Sequence, residues 1–284
     1  MKLLAVLVHK GSTEVTLESM RSLLMELEEI DAHIMLVDNA LRDGSRDALA
    51  VAIAGSENPS RVTLVGTERP MTRAACRNLA VRTAAQLGHR AEYVYFLDPG
   101  VFPDHAAISA LVQVLDAYPR SAIAGSYAYD GEGFSRATAF RFPQQPEDID
   151  RGKSNLLISR AVTPPPLAIE PPNATGAVDW VSGSSMMIRT KALEELGLFD
   201  EELTRSFEEA DFALRAKMSG WLCYYVPRSA VVDLGDGWAL ITQEAWDSSE
   251  RRWFEKHARW LTTADLRPRL VPGLSGDDDD RAAI

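Results

Sequence analysis

Between Leu3 and Tyr118 the sequence alternates short apolar runs with helical segments, four times over, and this leaves few folds open to it. The first run, Leu3 to Val8, is apolar at every position, as a strand buried on both faces must be. Further strands are expected at His33–Val37, Arg61–Val65 and Tyr93–Leu97. Helices are expected at Thr16–Ile30, from about Ser45 to Ala54, at Arg73–Leu87 closing on Gly88, and at Ala106–Tyr118. Strands separated by helices form βαβ units, so the class is α/β with a mostly parallel central sheet flanked by helices. Ligands of such sheets lie beyond the carboxyl ends of the strands. Asp38 and Asp98 fall at two such ends and are the first pointer to a site.

The remainder is less regular. Tyr127–Asn173 holds Pro164-Pro165-Pro166 and Pro171-Pro172 and reads as irregular strands and a long loop. Order returns with a strand pair through Gly183 over Val178–Arg189, a short helix at Lys191–Leu196, a helix at Phe207–Met218 and a strand at Trp221–Val226. Trp246, Trp253 and Trp260 recur every seven residues, which keeps one helical face; core docking, a homodimer contact and a membrane-surface contact all stay open for it. Residues 1–265 are expected to form one domain, its two halves dividing at about residue 125. Residues 266–284 form an acidic tail without apolar periodicity.

Composition narrows the function classes. The 46% apolar and 25% charged residues exclude a disordered or collagen-like chain. The net charge of −11 argues against a nucleic-acid partner, which needs a basic surface. A small anionic ligand is still compatible, because a few arginines in one cleft can hold a diphosphate. Cys76 and Cys223 are too few for a disulfide framework or a zinc site. No apolar run approaches the roughly 20 residues that span a bilayer, and the first is too short for a signal peptide. A cytoplasmic protein, at most peripheral to the inner face of a membrane, is expected.

Two blocks carry a resemblance. The first is Val37-Asp38-Asn39 through Asp43-Gly44-Ser45, with Leu97-Asp98-Pro99-Gly100. The second is ordered and longer: Val178-Asp179-Trp180-Val181-Ser182-Gly183-Ser184, Gly197-Leu198-Phe199-Asp200-Glu201, Phe207-Glu208-Glu209-Ala210-Asp211-Phe212, Arg215, Gly220-Trp221 and Val226-Pro227. Together they resemble the family 2 glycosyltransferases of the GT-A fold, in the bacterial rhamnosyltransferase-like branch that builds cell-wall, capsule and O-antigen glycans. The likeness covers roughly residues 3 to 260.

It implies an inverting transfer of a sugar from a nucleotide-diphosphate donor to the hydroxyl of a glycan, lipid-linked or small-molecule acceptor. Such chemistry needs one carboxylate as general base and positive charge on the leaving diphosphate. By the resemblance Glu209 stands at the base position with Glu208 beside it. Asp38, Asn39, Asp43, Arg73, Arg77, Asn78 and Asp98 line the nucleotide-sugar side, and Trp180 and Gly183 the acceptor side. Asp43-Gly44 reads equally well as a simple turn, one of the two arginines as a solvated helix face, and Trp180 as a core tryptophan.

The chain departs from the family pattern at three points. Gly100 stands where the family has the aspartate that ligates a divalent metal. Glu209 replaces an aspartate, and Asp233 replaces a histidine of the metal site. Three readings remain open on sequence: Asp98 and Asp233 hold Mg²⁺ or Mn²⁺, arginine or lysine replaces the metal, or catalysis is lost and the domain binds a sugar nucleotide or glycan, or serves as a partner subunit.

Overall fold

The computed structural model describes residues 1–39, 43–140, 142, 174–204, 207–235, 249 and 252–257. The first half follows the alternation seen in the sequence. Strands β1 (Leu3–His9), β2 (Ala32–Asp38), β3 (Val62–Gly66) and β4 (Tyr93–Leu97) pair in parallel in the order β3-β2-β1-β4. Helices α1 (Thr13–Glu26), α2 (Ser45–Ala54), α3 (Arg73–Gln86) and α4 (Ala107–Ala117) connect or follow them. Local chemistry sets several boundaries. The Ser12 hydroxyl accepts the Val15 N–H at the start of α1, and the Thr72 hydroxyl accepts the Ala75 N–H at the start of α3. Helix α1 thus begins and ends a turn before its expected place, at a serine cap the periodicity does not reveal.

The sheet then widens. A short β5 (Val101–Pro103) follows β4, and β6 (Ser121–Tyr129) leads to the two-residue strands β7 (Ser135–Arg136) and β8 (Ala139–Phe140). Beyond residue 173 come β9 (Gly176–Val178), β10 (Trp180–Val181), β11 (Ser185–Arg189), α5 (Thr190–Leu196), α6 (Glu208–Met218) and β12 (Leu222–Asp233). The main sheet runs β3-β2-β1-β4-β11-β6-β12-β5. β11 lies antiparallel between β4 and β6, while β12 is parallel to β6. The inserted β11 makes one sheet of the two expected halves.

Two expectations need correction. The segment around Gly183 is not a strand pair: β10 pairs with β8, whereas β11 pairs with β4 and β6. Trp221–Val226 is the start of a longer strand that continues to Asp233, with a register shift between Val226 and Ala230. Pro227, which cannot donate to the ladder, falls at that shift. The stretch from Tyr127, expected as irregular strands and a long loop, holds the end of β6 and the two-residue β7 and β8; 141 and 143–173 lie outside the described residues.

Alternation along β1 builds both layers of the core. Leu4, Val6 and Val8 face α3 and α6, with Phe96, Trp180 and Phe212. Leu3, Ala5 and Leu7 face α1, α2 and α4, with Leu23, Leu49 and Leu111. Trp253 is fully buried among Phe142, Phe207, Phe254 and His257, so the middle tryptophan of the stripe docks on the core. Trp246 and Trp260 lie outside the described residues. Both cysteines are free and buried. Among the described residues no helix is long and apolar enough to cross a membrane.

Candidate active site

Three elements deliver charge to one place. Asp98 directly follows β4, its N–H held by the Ser184 carbonyl at 2.9 Å. Arg73 and Arg77, one turn apart on α3, share a helix face. Glu208 and Glu209 open α6. The residue before them, Phe207, has a φ of +73°, a conformation costly for a bulky side chain. Its buried ring packs on Trp253, and its carbonyl accepts the Asp211 N–H at 2.8 Å. That corner turns the first two carboxylates of α6 toward α3.

The contacts are dense. Arg73 donates from Nη1 to Asp98 Oδ2 at 2.8 Å, from Nε to Glu208 Oε1 at 2.5 Å and from Nη2 to Glu209 Oε1 at 3.1 Å. Arg77 Nη2 donates to Asp98 Oδ1 at 2.8 Å and to the Gly183 carbonyl at 2.6 Å. Its Nη1 lies 3.7 Å from Glu208 Oε1 and makes no hydrogen bond. All five side chains belong to residues no more than 8% exposed. Neither arginine is a solvated helix face.

Three carboxylates against two guanidiniums leave one acid in excess. Burial, and then the neighbouring Glu208 carboxylate, push Glu209 up to about 7, against the pull of Arg73. Burial would raise Glu208 as well, but Arg73 and Arg77 together hold it below its ordinary value. The two arginines move in opposite directions. Burial pulls both down; the three acids around Arg73 more than reverse this, while Arg77, bonded to one carboxylate and a carbonyl, stays lowered. The two adjacent acids are thus driven apart, and a carboxylate near neutrality suits a general base.

The other expected site residues divide. Asp38, at the end of β2, is buried with its Oδ1 unpartnered. Asn39 is spent on structure: its amide bonds both the N–H and the carbonyl of Met71, fixing the loop that leads into α3. Asn78 does the same for Phe199, donating also to Glu201, and so ties α3 to the turn after α5. Asp43 is exposed, and its Oδ1 accepts the Ser45 N–H at 2.9 Å, the simple turn reading at the start of α2.

Trp180 does not offer a ring to a sugar. It is 1% exposed and stacked on Phe140 with centroids 4.1 Å apart, because β10 tucks against β8. Of its two readings, the core tryptophan is the one its packing supports, and the acceptor-side reading is corrected. Gly183 does permit a close approach, and the group that approaches is Arg77. A Cβ there would stand 2.9 Å from Arg77 Nη1 and 3.3 Å from Glu209 Oε1. Gly183→Ala is therefore expected to push the guanidinium off its carbonyl and lower stability by about 1–3 kcal/mol. Thermal denaturation checks this, and an unchanged melting temperature would refute the contact.

Asp211 anchors the helix from behind. It is fully buried and accepts Arg215 Nε, Lys256 Nζ and His257 Nε2 at 2.8, 2.6 and 2.8 Å, so Arg215 is only one of its partners. Gly100 has a φ of +82° and donates its N–H to Ser19 Oγ, so a turn occupies the place of the missing aspartate. Asp233 ends β12 opposite Val101, with Oδ1 accepting the Gly235 N–H. Burial raises its carboxyl, and the Asp98 charge adds to this against the pull of Arg136.

With this geometry in place, the comparisons are decisive for the fold. A mannosyltransferase from Pyrobaculum calidifontis, solved with GDP-mannose and Mn²⁺, superposes with a TM-score of 0.58 at 17% identity, over 91% of this chain and 64% of that one. GalNAc-T7, solved with UDP, GalNAc and Mn²⁺, gives 0.65 at 15% identity, over 92% of this chain and 49% of that one. An N-acetylglucosaminyl-diphospho-decaprenol L-rhamnosyltransferase of Mycobacterium tuberculosis is 26% identical over 215 residues. The chain has the GT-A fold and is similar in sequence to a mycobacterial rhamnosyltransferase.

The match to the mycobacterial enzyme takes in 70% of this chain but only 65% of the relative's length. No known family profile matches this GT-A chain. Its β4 end places Asp98 two residues before Gly100, and its α6 carries the pair Glu208-Glu209, the two blocks on which the sequence resemblance rests. Sequence reasoning passed over His9, which ends β1 one strand from Asp38 and one from the β4 that leads to Asp98. Its signal was a polar residue closing an otherwise apolar strand.

Proposed function

We propose that this GT-A chain transfers a sugar from a nucleotide-diphosphate donor to an acceptor hydroxyl with inversion, and that Glu209 is the general base. The observation that carries the proposal is the buried cluster in which Arg73 touches Asp98, Glu208 and Glu209 at once. The acceptor oxygen attacks the anomeric carbon as Glu209 takes its proton. The bond from that carbon to the diphosphate oxygen breaks on the opposite face, and the nucleoside diphosphate leaves with the electron pair. Arg73 and Arg77 meet the negative charge that develops there. Arg73 must release Glu209 as the acceptor arrives, which frees the base when it is needed.

The residues also fit a divalent cation of the kind present in the two solved neighbours. Each Asp98 oxygen accepts one hydrogen bond and keeps a second lone pair, and Asp233 leaves Oδ2 free of the Gly235 contact. Mg²⁺ or Mn²⁺ needs only one or two carboxylates when substrate phosphates and water complete its shell. Asp98 and Asp233 would hold it, and when bound it would supply charge to the leaving diphosphate. Among the described residues no cluster of three potential ligands exists, so the phosphates are essential to such a site. The name of the mycobacterial relative suggests an acceptor carried on a lipid diphosphate, met at the inner membrane surface by a cytoplasmic enzyme.

A thermal-shift panel of UDP, dTDP and GDP, each with and without Mn²⁺, tests the donor side. A ligand that binds the folded state alone at a hundred times its Kd adds about 2.7 kcal/mol. At least one nucleotide is expected to raise the melting temperature, and Mn²⁺ to enlarge the shift. A folded chain that responds to none of them, and transfers no sugar, refutes the proposal.

A further inference from the structure

Glu208 and Glu209 lie between two held points of one turn. Phe207 precedes them with a φ of +73°, and Asp211 follows them with its N–H bonded to the Phe207 carbonyl at 2.8 Å. A left-handed conformation at a bulky residue persists only where its surroundings over-determine it. Part of those surroundings comes from far along the chain, from the helical segment 252–257.

Trp253 and His257 are four residues apart and share one face of that segment. Trp253 is fully buried, with its ring centroid 6.4 Å from that of Phe207 and 5.1 Å from that of His257. His257 is buried too, and its Nε2 lies 2.8 Å from Oδ1 of Asp211, 46 residues back in the chain. Burial would raise the Asp211 carboxyl, but His257, then Arg215 and Lys256, hold it well below its ordinary value. An ionised carboxylate only accepts, so the His257 Nε2 carries a proton and donates. The segment therefore grips α6 twice, at the ring before the two glutamates and at the carboxylate after them.

Glu209 has little room for displacement. Its Oε1 meets Arg73 Nη2 at 3.1 Å and lies 3.3 Å from where a Cβ on Gly183 would stand. A misplacement of about 1 Å at a reacting group can cost about a hundredfold in rate. We propose that Trp253 and His257 are positioning residues for Glu209: through Phe207 and Asp211 they fix the first turn of α6 and so set where the base stands. The inference rests on the reading of Glu209 as the base given above. Both residues act through their neighbours on α6, and the role requires no contact with substrate. The segment 252–257 is thus part of the working site as well as of the core.

The test is steady-state kinetics across pH on the full chain, with a nucleotide sugar that the wild type turns over. His257→Leu removes the donor and keeps the bulk, while His257→Gln restores an N–H at a similar reach. His257→Leu should lower kcat about 10- to 100-fold, with the donor KM changed by less than about threefold. Its low-pH limb should move below about 7, toward the ordinary 4.5, as the loosened carboxylate regains water. Among the described residues the charged groups facing Glu209 are Glu208 on α6 and Arg73 and Arg77 on α3, with Asp98 bound to both arginines; every variant keeps them. His257→Gln should recover most of kcat and a limb near 7, which separates position from titration of the imidazole. Trp253→Phe, which opens space beside Phe207, should shift both readouts the same way by less, and serves if the leucine variant fails to fold. Folded variants whose limb does not move and whose kcat only follows the folded fraction overturn the positioning role and leave the base assignment standing, as does a glutamine variant that loses as much as the leucine one. A wild type without turnover on any nucleotide sugar overturns both.

Discussion

Glu209→Gln is expected to lower kcat by about 10²–10⁴, the range a positioned general base contributes, with nucleoside diphosphate affinity changed by less than about threefold. Glutamine keeps the shape and can still meet Arg73, so the loss isolates proton transfer. The pH profile gives a second readout. The base works deprotonated, so the wild-type rate should rise through about pH 7 and fall about tenfold per unit below it. The glutamine variant should lack that limb.

Stability should move the other way. Glu209 is raised in the folded chain above its ordinary 4.5, so it stabilises fully below that value. The contribution is lost as pH rises through about 7. Denaturant melts across that window should slope downward for the wild type and less so for Glu209→Gln. A variant with full turnover would place the base elsewhere. A wild type with no turnover on any nucleotide sugar, yet with nucleotide binding, would favour the non-catalytic reading.

The second large effect is expected from Arg77→Met. Arg77 is 1% exposed and holds Asp98 Oδ1 and the Gly183 carbonyl, and its loss leaves three buried carboxylates facing one cation. Removing one partner from a buried charged network costs about 3–5 kcal/mol, a fall in Tm on the order of 10 °C. The penalty comes from unpaired negative charge, so it should shrink in acid, where the carboxylates protonate. The gap in Tm between variant and wild type should be smaller at pH 5 than at pH 8. A gap that does not change with pH would mean that lost packing, and not charge, is the cause.

Arg73 and Arg77 show where reading the sequence reached its limit. The sequence placed both on one expected helix and read one of the two as a solvated face. Its neighbours come from β4, α6 and the Gly183 loop, between 21 and 136 residues away in the chain. No local pattern reports such a meeting. Asn39 and Asn78 fail for a related reason. Each belongs to a block with chemical meaning, yet both amides are consumed in fastening loops to the scaffold. Trp180 is similar, since whether a ring faces a cleft or a neighbouring ring depends on β8, a two-residue strand too short to recognise in advance.

What the sequence by itself determined is the alternation of apolar runs and helices, hence the α/β class, the parallel start of the sheet, and the acids at its strand ends. Those are consequences of period and length, which local chemistry controls. The tertiary structure alone decided that β11 enters the sheet antiparallel between β4 and β6, because pairing partners are chosen by burial across the whole chain. It also decided the charge state of the site. Glu209 stands near neutrality only because burial and a second carboxylate act on it together, and both arise when α6 is packed against α3 and β4.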